Sequence, residues 1–262
     1  MKPIELIPFL NALTDQAGKL LISFFEGSFC VDSKDSELEG IDIVTDADRA
    51  SEQYIMESIA SNFPGHDILT EETVTHSTGS EWLWIVDPLD GTVNFAHGFP
   101  HFCVSVAIAH KDELVAGMVY DPLKAERFWA VRGGGSFLNG RNIRVSSAGS
   151  LNKSLVATGF PYDKARSIEN NILEFSRVVV KVQGIRRPGS AALDLVYVAS
   201  GRFDGFWELK LKPWDQAAGM LIVEEAGGKV TDRRGAEADF RCTNIVATNG
   251  LIHEELLEVL AH

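Results

Sequence analysis

The middle of the chain is a succession of short strand-like segments, and this feature limits the possible folds more than any other. Each segment is rich in β-branched or aromatic residues, and turn-forming residues such as Asp121-Pro122 separate them. A sheet of this size needs helices to cover it, so the pattern predicts a layered protein with both helices and sheet. The predicted strands are 82–86, 103–109, 114–120, 126–131 and 136–145.

Two helices are predicted before these strands. Apolar residues recur at helical spacing from Ile7 to Phe24, and Gly27 lies where this first helix would end. A second helix is predicted over residues 46–61. The segment 31–40 is polar and acidic, which predicts an exposed, mobile loop.

Beyond residue 150 strands and helices alternate. The sequence therefore predicts an α+β half, residues 1–148, followed by an α/β half, residues 149–262. The junction at 146–153 is short and unlike a linker, so we expect the halves to pack as one structural unit. The predicted strands here are 155–158, 203–207, 228–231 and 245–248, and the predicted helices are 167–180, 190–199, 214–226 and 251–260.

Composition excludes several classes of protein. The net charge is −13, from 24 basic and 37 acidic residues, and no basic stripe is present, which argues against nucleic-acid binding. No apolar run is long enough to span a membrane, and the N-terminus does not resemble a signal peptide. Cys30, Cys103 and Cys242 lack metal-ligand or redox spacing, so we expect reduced thiols and a cytoplasmic protein.

The segment "WIVDPLDGTVNF" places two aspartates after a buried strand. We expect Pro88 to end strand pairing after Asp87, which brings Asp90 round beside it. Gly91 would let a ligand approach the backbone, and Thr92 adds a hydroxyl group. Two interpretations remain open for these residues: a simple turn, since Asp, Pro and Gly favour turns, or a site for Mg²⁺, which prefers oxygen ligands.

Three other acidic places bear on this choice. Glu71-Glu72 follows an apolar pair, the segment 42–48 reads "DIVTDAD", and Asp215 opens a predicted helix. Each has a simpler explanation, namely an exposed loop for the glutamates, a helix cap for Asp46 and a favourable helix dipole for Asp215. The four places together favour the metal site.

Several motifs, taken together, resemble the inositol monophosphatase family of Mg²⁺-dependent, lithium-sensitive phosphatases. They are "DPLDGTVNF", "TEE", "DIVTDAD", "RPGSAALDL", "GFWE" and "PWDQAAGMLIVEEAGG", and the resemblance extends from about residue 6 to residue 259. It implies a layered αβαβα sandwich of the sugar-phosphatase-like kind, and a homodimer. One departure is Thr70, where the family often has glycine before the first metal-binding glutamate.

The resemblance also implies the roles of individual residues. One ion would be held by Glu71, Asp87 and the Leu89 carbonyl, and a second by Asp87, Asp90 and Asp215, with a third, looser ion near Glu71 as a further option. The expected catalytic residues are Thr92, Asp48 and Glu71. The expected substrate-binding residues are Asp90, Gly91, Thr92, Gly189, Ser190, Ala191, Glu208 and Asp215.

The expected activity is Mg²⁺-dependent hydrolysis of a phosphomonoester, with inositol 1-phosphate as the first candidate, because the Glu208 carboxylate suits a polyol. Fructose 1,6-bisphosphate, another sugar phosphate or a nucleotide phosphate is the alternative within the same superfamily. An alternative of another class is a binding or regulatory protein that keeps this fold without needing its activity.

Overall fold

The computed structural model describes residues 2–34, 42–73 and 78–261. The helices are α1 (Ile7–Phe25), α2 (Asp46–Asn62), α3 (Thr92–Ala96), α4 (Ile172–Val178), α5 (Ala191–Ala199), α6 (Pro213–Glu225) and α7 (His253–Ala261). The strands of the first half are β1 (Val31–Ser33), β2 (Ile43–Thr45), β3 (Asp67–Thr70), β4 (Trp82–Asp90), β5 (Cys103–His110), β6 (Glu113–Asp121), β7 (Glu126–Val131), β8 (Gly135–Leu138) and β9 (Arg141–Asn142). Those of the second half are β10 (Leu155–Thr158), β11 (Gly184–Arg186), β12 (Gly205–Glu208), β13 (Lys229–Asp232) and β14 (Ile245–Thr248).

The first large sheet has seven strands in the order β3-β4-β5-β6-β7-β8-β9. Only the β3–β4 pair is parallel, and the other neighbours are antiparallel. Helices α1 and α2 cover one face of this sheet, where Leu10, Ile55 and Trp84 are fully buried. The short strands β1 and β2 form a separate antiparallel pair just before α2.

The second large sheet has five strands in the order β11-β10-β12-β14-β13. Strands β11, β10 and β12 run parallel, while β14 is antiparallel to both of its neighbours. Helices α4 and α7 pack together on its outer face, around Trp207 and Leu256.

Helices α5 and α6 form the central layer, and their apolar side chains pack against both sheets. The contact is close because small residues face each other: a Cβ on Gly117 of β6 would lie 3.0 Å from the Cα of Ala218 in α6. The layers thus follow one another as helix, sheet, helix, sheet, helix, which confirms the predicted αβαβα sandwich. No helix within the described ranges is long and apolar enough to cross a membrane.

Several predicted elements are wrong in detail. Strand β4 continues through Pro88 to Asp90, because a register shift against β5 between Asp87 and Asp90 leaves the proline unpaired. The single strand predicted over 136–145 is instead a hairpin, since Asn139 and Gly140 both have positive φ and form its turn.

Other differences concern the connecting segments. Helix α4 is shorter than predicted, and the parallel edge strands β3 and β11 were not expected. Part of the predicted mobile loop, Val31–Ser33, is strand, whereas residues 35–41 of that loop lie outside the described residues.

Candidate metal and substrate site

The end of β4 places Asp87 and Asp90 side by side near the seam between the two sheets. The irregular pairing there leaves the backbone free to bend, and the Ser51 hydroxyl donates a hydrogen bond of 2.9 Å to the Pro88 carbonyl. Asp87 is buried, and one of its carboxyl oxygens accepts the Leu89 N–H at 3.1 Å. The bend is therefore fixed from both sides by hydrogen bonds.

Glu71 enters the same region from the end of the neighbouring strand β3, next to the buried Thr70. The Lys34 ammonium lies 2.6 Å from Glu71 Oε1 and 2.5 Å from Glu72 Oε1. This lysine is the cation that partly compensates the glutamate charges.

Asp48 and Thr92 form a buried hydrogen-bonded pair beside these carboxylates. Asp48 lies in the first turn of α2, where the N–H and hydroxyl groups of Thr45 both donate to its Oδ2, at 2.8 and 2.5 Å. The Thr92 hydroxyl lies 3.0 Å from Asp48 Oδ1 and 3.0 Å from the Leu89 carbonyl oxygen. Because a hydroxyl donates only one proton, it can turn between these two acceptors.

Asp90 connects β4 to the start of α5. Its Oδ2 accepts the Ser190 hydroxyl at 2.6 Å and the Ala192 N–H at 2.8 Å. Gly91 follows with φ of 99°, and a Cβ there would lie 2.9 Å from the His101 carbonyl oxygen. Only glycine fits this position without a backbone shift.

Asp215 comes from the central layer, in the first turn of α6. Its Oδ2 accepts the Lys212 N–H at 2.7 Å, which caps the helix. Helix α6 thereby brings a carboxyl group from the second half of the chain to acids that come from the first half.

Burial and mutual repulsion dominate the electrostatics of these acids. Burial raises the pKa of Asp87 well above its usual range, and the charges of Glu71 and Asp90 raise it further. Burial likewise raises the pKa of Asp215, with Glu71 again adding to the effect. Burial also raises the pKa of Asp90, although its hydrogen bonds act in the opposite direction.

These residues border a cavity of about 440 Å³. Asp48, Asp87 and Leu89 are buried behind its wall. The predicted site residues that line the cavity directly are Glu71, Asp90, Gly91, Thr92, Gly189, Ser190, Ala191, Glu208 and Asp215.

The substrate side of the cavity carries a further acid. Burial raises the pKa of Glu208 to about 8, while the positive charge of Arg187 acts against this shift. The Glu208 carboxyl group lies directly over Gly159, where a Cβ would come within 2.0 Å of Oε1. A side chain at residue 159 would therefore displace Glu208.

Whether these residues could hold a metal ion can be judged from the hydrogen bonds and ion pairs that they form. Within residues 2–34, 42–73 and 78–261, no three histidine, cysteine, aspartate or glutamate side chains are arranged to hold a metal ion as they stand. Glu71 is turned towards Lys34, and Asp90 and Asp215 bond to helix N-termini. Their carboxylate oxygens nevertheless suit a divalent cation in chemical type, because Mg²⁺ prefers oxygen donors and because Asp87 and Asp215 have other acids as neighbours. The ligand set stays a prediction.

Some residues of the site were missed from the sequence. Asp194 lines the cavity and is 1% exposed, yet in the sequence it stands inside an otherwise apolar helical segment. An acidic residue within an apolar helical segment was the sequence signal that could have identified Asp194. The Asn94 side-chain amide donates to the carbonyls of His101 and Pro188 at 2.8 and 2.9 Å, a bridge that the sequence does not indicate.

Buried carboxyl groups beside a cavity at the seam of an αβαβα sandwich are the arrangement expected of a phosphatase of this layered class. A family comparison agrees: the model for the inositol monophosphatase family matches residues 3–262, and the chain belongs to this family.

Individual relatives carry two kinds of name. An inositol-1-monophosphatase of Synechocystis is 47% identical over 221 residues, covering 84% of this chain and 77% of the relative. A Nus factor SuhB of Pseudomonas aeruginosa is 43% identical, covering 93% of this chain and 91% of the relative. The crystal structure of extragenic suppressor protein suhB from Bartonella henselae has a TM-score of 0.90 at 40% identity, with 98% of each chain covered.

Proposed function

We propose that the protein hydrolyses phosphomonoesters with Mg²⁺, and that inositol 1-phosphate is its substrate, giving inositol and phosphate. The observation that carries the proposal is the cluster of Glu71, Asp87, Asp90 and Asp215. Burial raises the pKa of all four acids, and the charges of neighbouring acids add to the shift for Glu71, Asp87 and Asp215. Such a cluster is unfavourable unless cations bind to it.

The attacking water is oriented by the Thr92–Asp48 pair. The Thr92 hydroxyl oxygen accepts a hydrogen bond from the water and donates its own proton to Asp48 Oδ1. As the water attacks phosphorus, its proton passes to Thr92 while the threonine proton passes to Asp48. The bond between phosphorus and the alcohol oxygen breaks, and this oxygen takes a proton from a solvent water molecule and leaves as the alcohol, while the hydroxide so formed is neutralised by the proton that Asp48 returns to solvent.

The carboxylates and the Leu89 carbonyl are the groups that would hold the metal. Mg²⁺, when bound there, supplies positive charge that acidifies the water and neutralises the phosphate. Gly91 and Thr92 line the cavity, and backbone N–H groups at such a turn suit phosphate oxygens. Catalysis then depends on positioning and charge, with no covalent bond to the protein.

The alcohol part of the substrate would lie against Gly189, Ser190, Ala191 and Glu208, which line the same cavity. A carboxylate accepts hydrogen bonds from hydroxyl groups, so Glu208 favours a polyol such as inositol. Fructose 1,6-bisphosphate and nucleotide phosphates are the competing substrates. We also propose a homodimer in the cytoplasm, which gel filtration with light scattering and cell fractionation would test.

The test is phosphate release with Mg²⁺ from inositol 1-phosphate, fructose 1,6-bisphosphate, 3′-phosphoadenosine 5′-phosphate and NADP. Asp90→Asn should reduce release at least ~10²-fold, because it removes a ligand charge while keeping the side-chain shape. Asp239→Asn, an exposed acid away from the cavity, is the matched control and should remain active. Full activity of the Asp90 variant would contradict the assignment.

A second candidate function comes from the relatives called Nus factor SuhB, of which one is 43% identical to this chain. In that case the protein acts as a regulatory partner and its hydrolase activity is incidental. Phosphate release from none of the four esters, with the protein folded, would favour this function.

A further inference from the structure

Asp194 is a buried acid, and one of its carboxyl oxygens has no hydrogen-bond partner among the described residues. It lies in the first turn of α5, where its backbone N–H donates to the Ser190 carbonyl at 3.0 Å. Its side chain is 1% exposed and borders the cavity, and none of the described residues forms a hydrogen bond with Oδ1. The helix itself gives no reason for an acid, since the other residues of α5 are apolar and buried.

The charges around Asp194 make this arrangement unfavourable for the protein alone. Burial raises the pKa of Asp194 well above its usual range, and the negative charges of Glu208 and Asp90 add to that effect. Arg187 is the compensating positive charge. A buried carboxyl group without a hydrogen-bond partner destabilises a protein, so an apolar residue at 194 would give a more stable helix.

We propose that Asp194 is a specificity-determining residue, whose carboxyl group binds a hydroxyl group of the substrate's alcohol part beside Glu208. This inference rests on the proposed function, since it concerns the same cavity. A carboxyl group can accept a hydrogen bond in either protonation state and can donate one when protonated. Two such groups in one wall suit an alcohol that carries several hydroxyl groups.

The two acids of this wall come from regular elements. The Glu208 carboxyl group at the end of β12 packs against Gly159, where a Cβ would lie only 2.0 Å from Oε1, and Asp194 lies in the first turn of α5. A site with fixed polar groups discriminates strongly against an alcohol that lacks hydroxyls, because its buried polar groups are then left unpaired. Asp194 would thus set the preference for polyols without taking part in the chemical step.

The experiment compares wild type, Asp194→Ala and Asp194→Asn on inositol 1-phosphate and on p-nitrophenyl phosphate, which has no alcohol hydroxyls. For Asp194→Ala we expect kcat/KM on inositol 1-phosphate to fall about 10- to 100-fold, from the loss of a hydrogen bond to a charged or buried group. On p-nitrophenyl phosphate we expect a change within about twofold, and for Asp194→Asn a smaller loss, because one oxygen acceptor remains.

The melting temperature separates a binding role from a structural one. Asp194→Ala should melt at the same temperature as wild type or higher, because it removes the unpartnered group. Glu174→Gln is the matched control: this acid is also buried, but it forms an ion pair with Arg233 at 2.8 Å, and it does not line the cavity. That variant should melt lower and keep the wild-type ratio of the two substrates.

Equal losses on both substrates, or a lowered melting temperature of both Asp194 variants, would overturn the inference and leave the proposed function standing. If wild type hydrolyses neither ester, the proposed function fails, and calorimetry with inositol 1-phosphate decides the inference. Binding weakened by Asp194→Ala then supports it, whereas unchanged or undetectable binding overturns it.

Discussion

The cavity and the start of β7 use acidic residues in different ways. At the start of β7, the Arg202 guanidinium donates to both oxygens of Glu126, at 2.6 and 2.5 Å, and this pairing lowers the pKa of Glu126. In the cavity, Asp87 and Asp215 have other acids as neighbours, and burial raises their pKa values. The same residue type therefore stabilises the folded chain in one region and destabilises it in the other.

The difference lies in where the positive charge comes from. For Glu126 the chain itself supplies an arginine, so the charge of this glutamate is paired as soon as the protein folds. For the cavity the chain supplies Lys34, which pairs with Glu71 and Glu72, and Arg187, whose charge acts on Glu208 and Asp194. On the proposed function, the other carboxylates take their positive charge from a cation in solution, and the following predictions test that requirement.

The largest effect is expected for Thr92→Val, which keeps the side-chain shape but removes the hydroxyl between the cavity and Asp48. Phosphate release should fall ~10²- to 10⁴-fold, the usual contribution of acid–base catalysis. Thr92→Ser should retain most of the activity because it keeps the hydroxyl. A valine variant that works at the wild-type rate would show that Asp48 needs no contact with the water.

The next effect concerns metal removal. In EDTA, Asp87→Asn should be as stable as wild type or more stable, by up to roughly 3 kcal/mol, because it removes one of the repelling buried charges. With Mg²⁺ at about a hundred times its Kd, wild type should gain about 2.7 kcal/mol from binding, and the variant should gain much less. Urea unfolding with and without Mg²⁺ measures both quantities.

Glu126→Gln is the control from the paired region. It should lose stability by about 1 kcal/mol or less, since the ion pair is close to the surface, and the loss should be the same with and without Mg²⁺. A stabilised Glu126 variant, or an Asp87 variant that loses stability in EDTA, would remove the contrast between the two regions.

The smallest effect concerns His253, a buried histidine whose two ring nitrogens lie within hydrogen-bond distance of threonine hydroxyls. The Thr231 and Thr248 hydroxyls each lie 2.9 Å from a ring nitrogen of His253, and burial lowers its pKa to about 4. The pKa of His253 is lower in the folded state than the usual 6.5. Its contribution to the free energy of unfolding is therefore fully present above pH 6.5 and is lost as the pH falls towards 4.

At pH 5 the loss should be about 2 kcal/mol relative to pH 7.5. The measurement is the difference in urea-unfolding free energy between wild type and His253→Gln at the two pH values, which cancels the carboxylate contributions. A difference that does not change with pH would mean that His253 is protonated without cost in the folded protein.

The layered fold was predictable because its signals are local. The amphipathic spacing of α1 and the residue patterns of β5, β6 and β7 depend on neighbours in the sequence, and these elements were predicted nearly to their ends. Strand β4 was less predictable, since Pro88 normally ends pairing and only the register shift against β5 allows the strand to continue. The Asn139-Gly140 turn was a local signal that was overlooked.

From the sequence, we predicted only those acids of the candidate site that lie in recognisable motifs. Asp87, Asp90 and Asp215 are in conspicuous segments, and the structure brings them to one cavity region with Glu71. Asp194 could not be identified as a site residue in the same way. The acids near its carboxyl group, Glu208 and Asp90, belong to strands that are distant in sequence. Burial without a partner is a property of the tertiary structure.

The position of Asp215 on α6 has a consequence for how the protein folds. Glu71 and Asp215 lie far apart along the chain, and they come to one cavity only when the central helix layer has packed between both sheets. Contacts between such distant residues form slowly, because loop-closure entropy is lost before they contribute stability. If the proposed function holds, a nascent or partly folded chain therefore has no metal site, and only the complete sandwich brings the proposed ligands together.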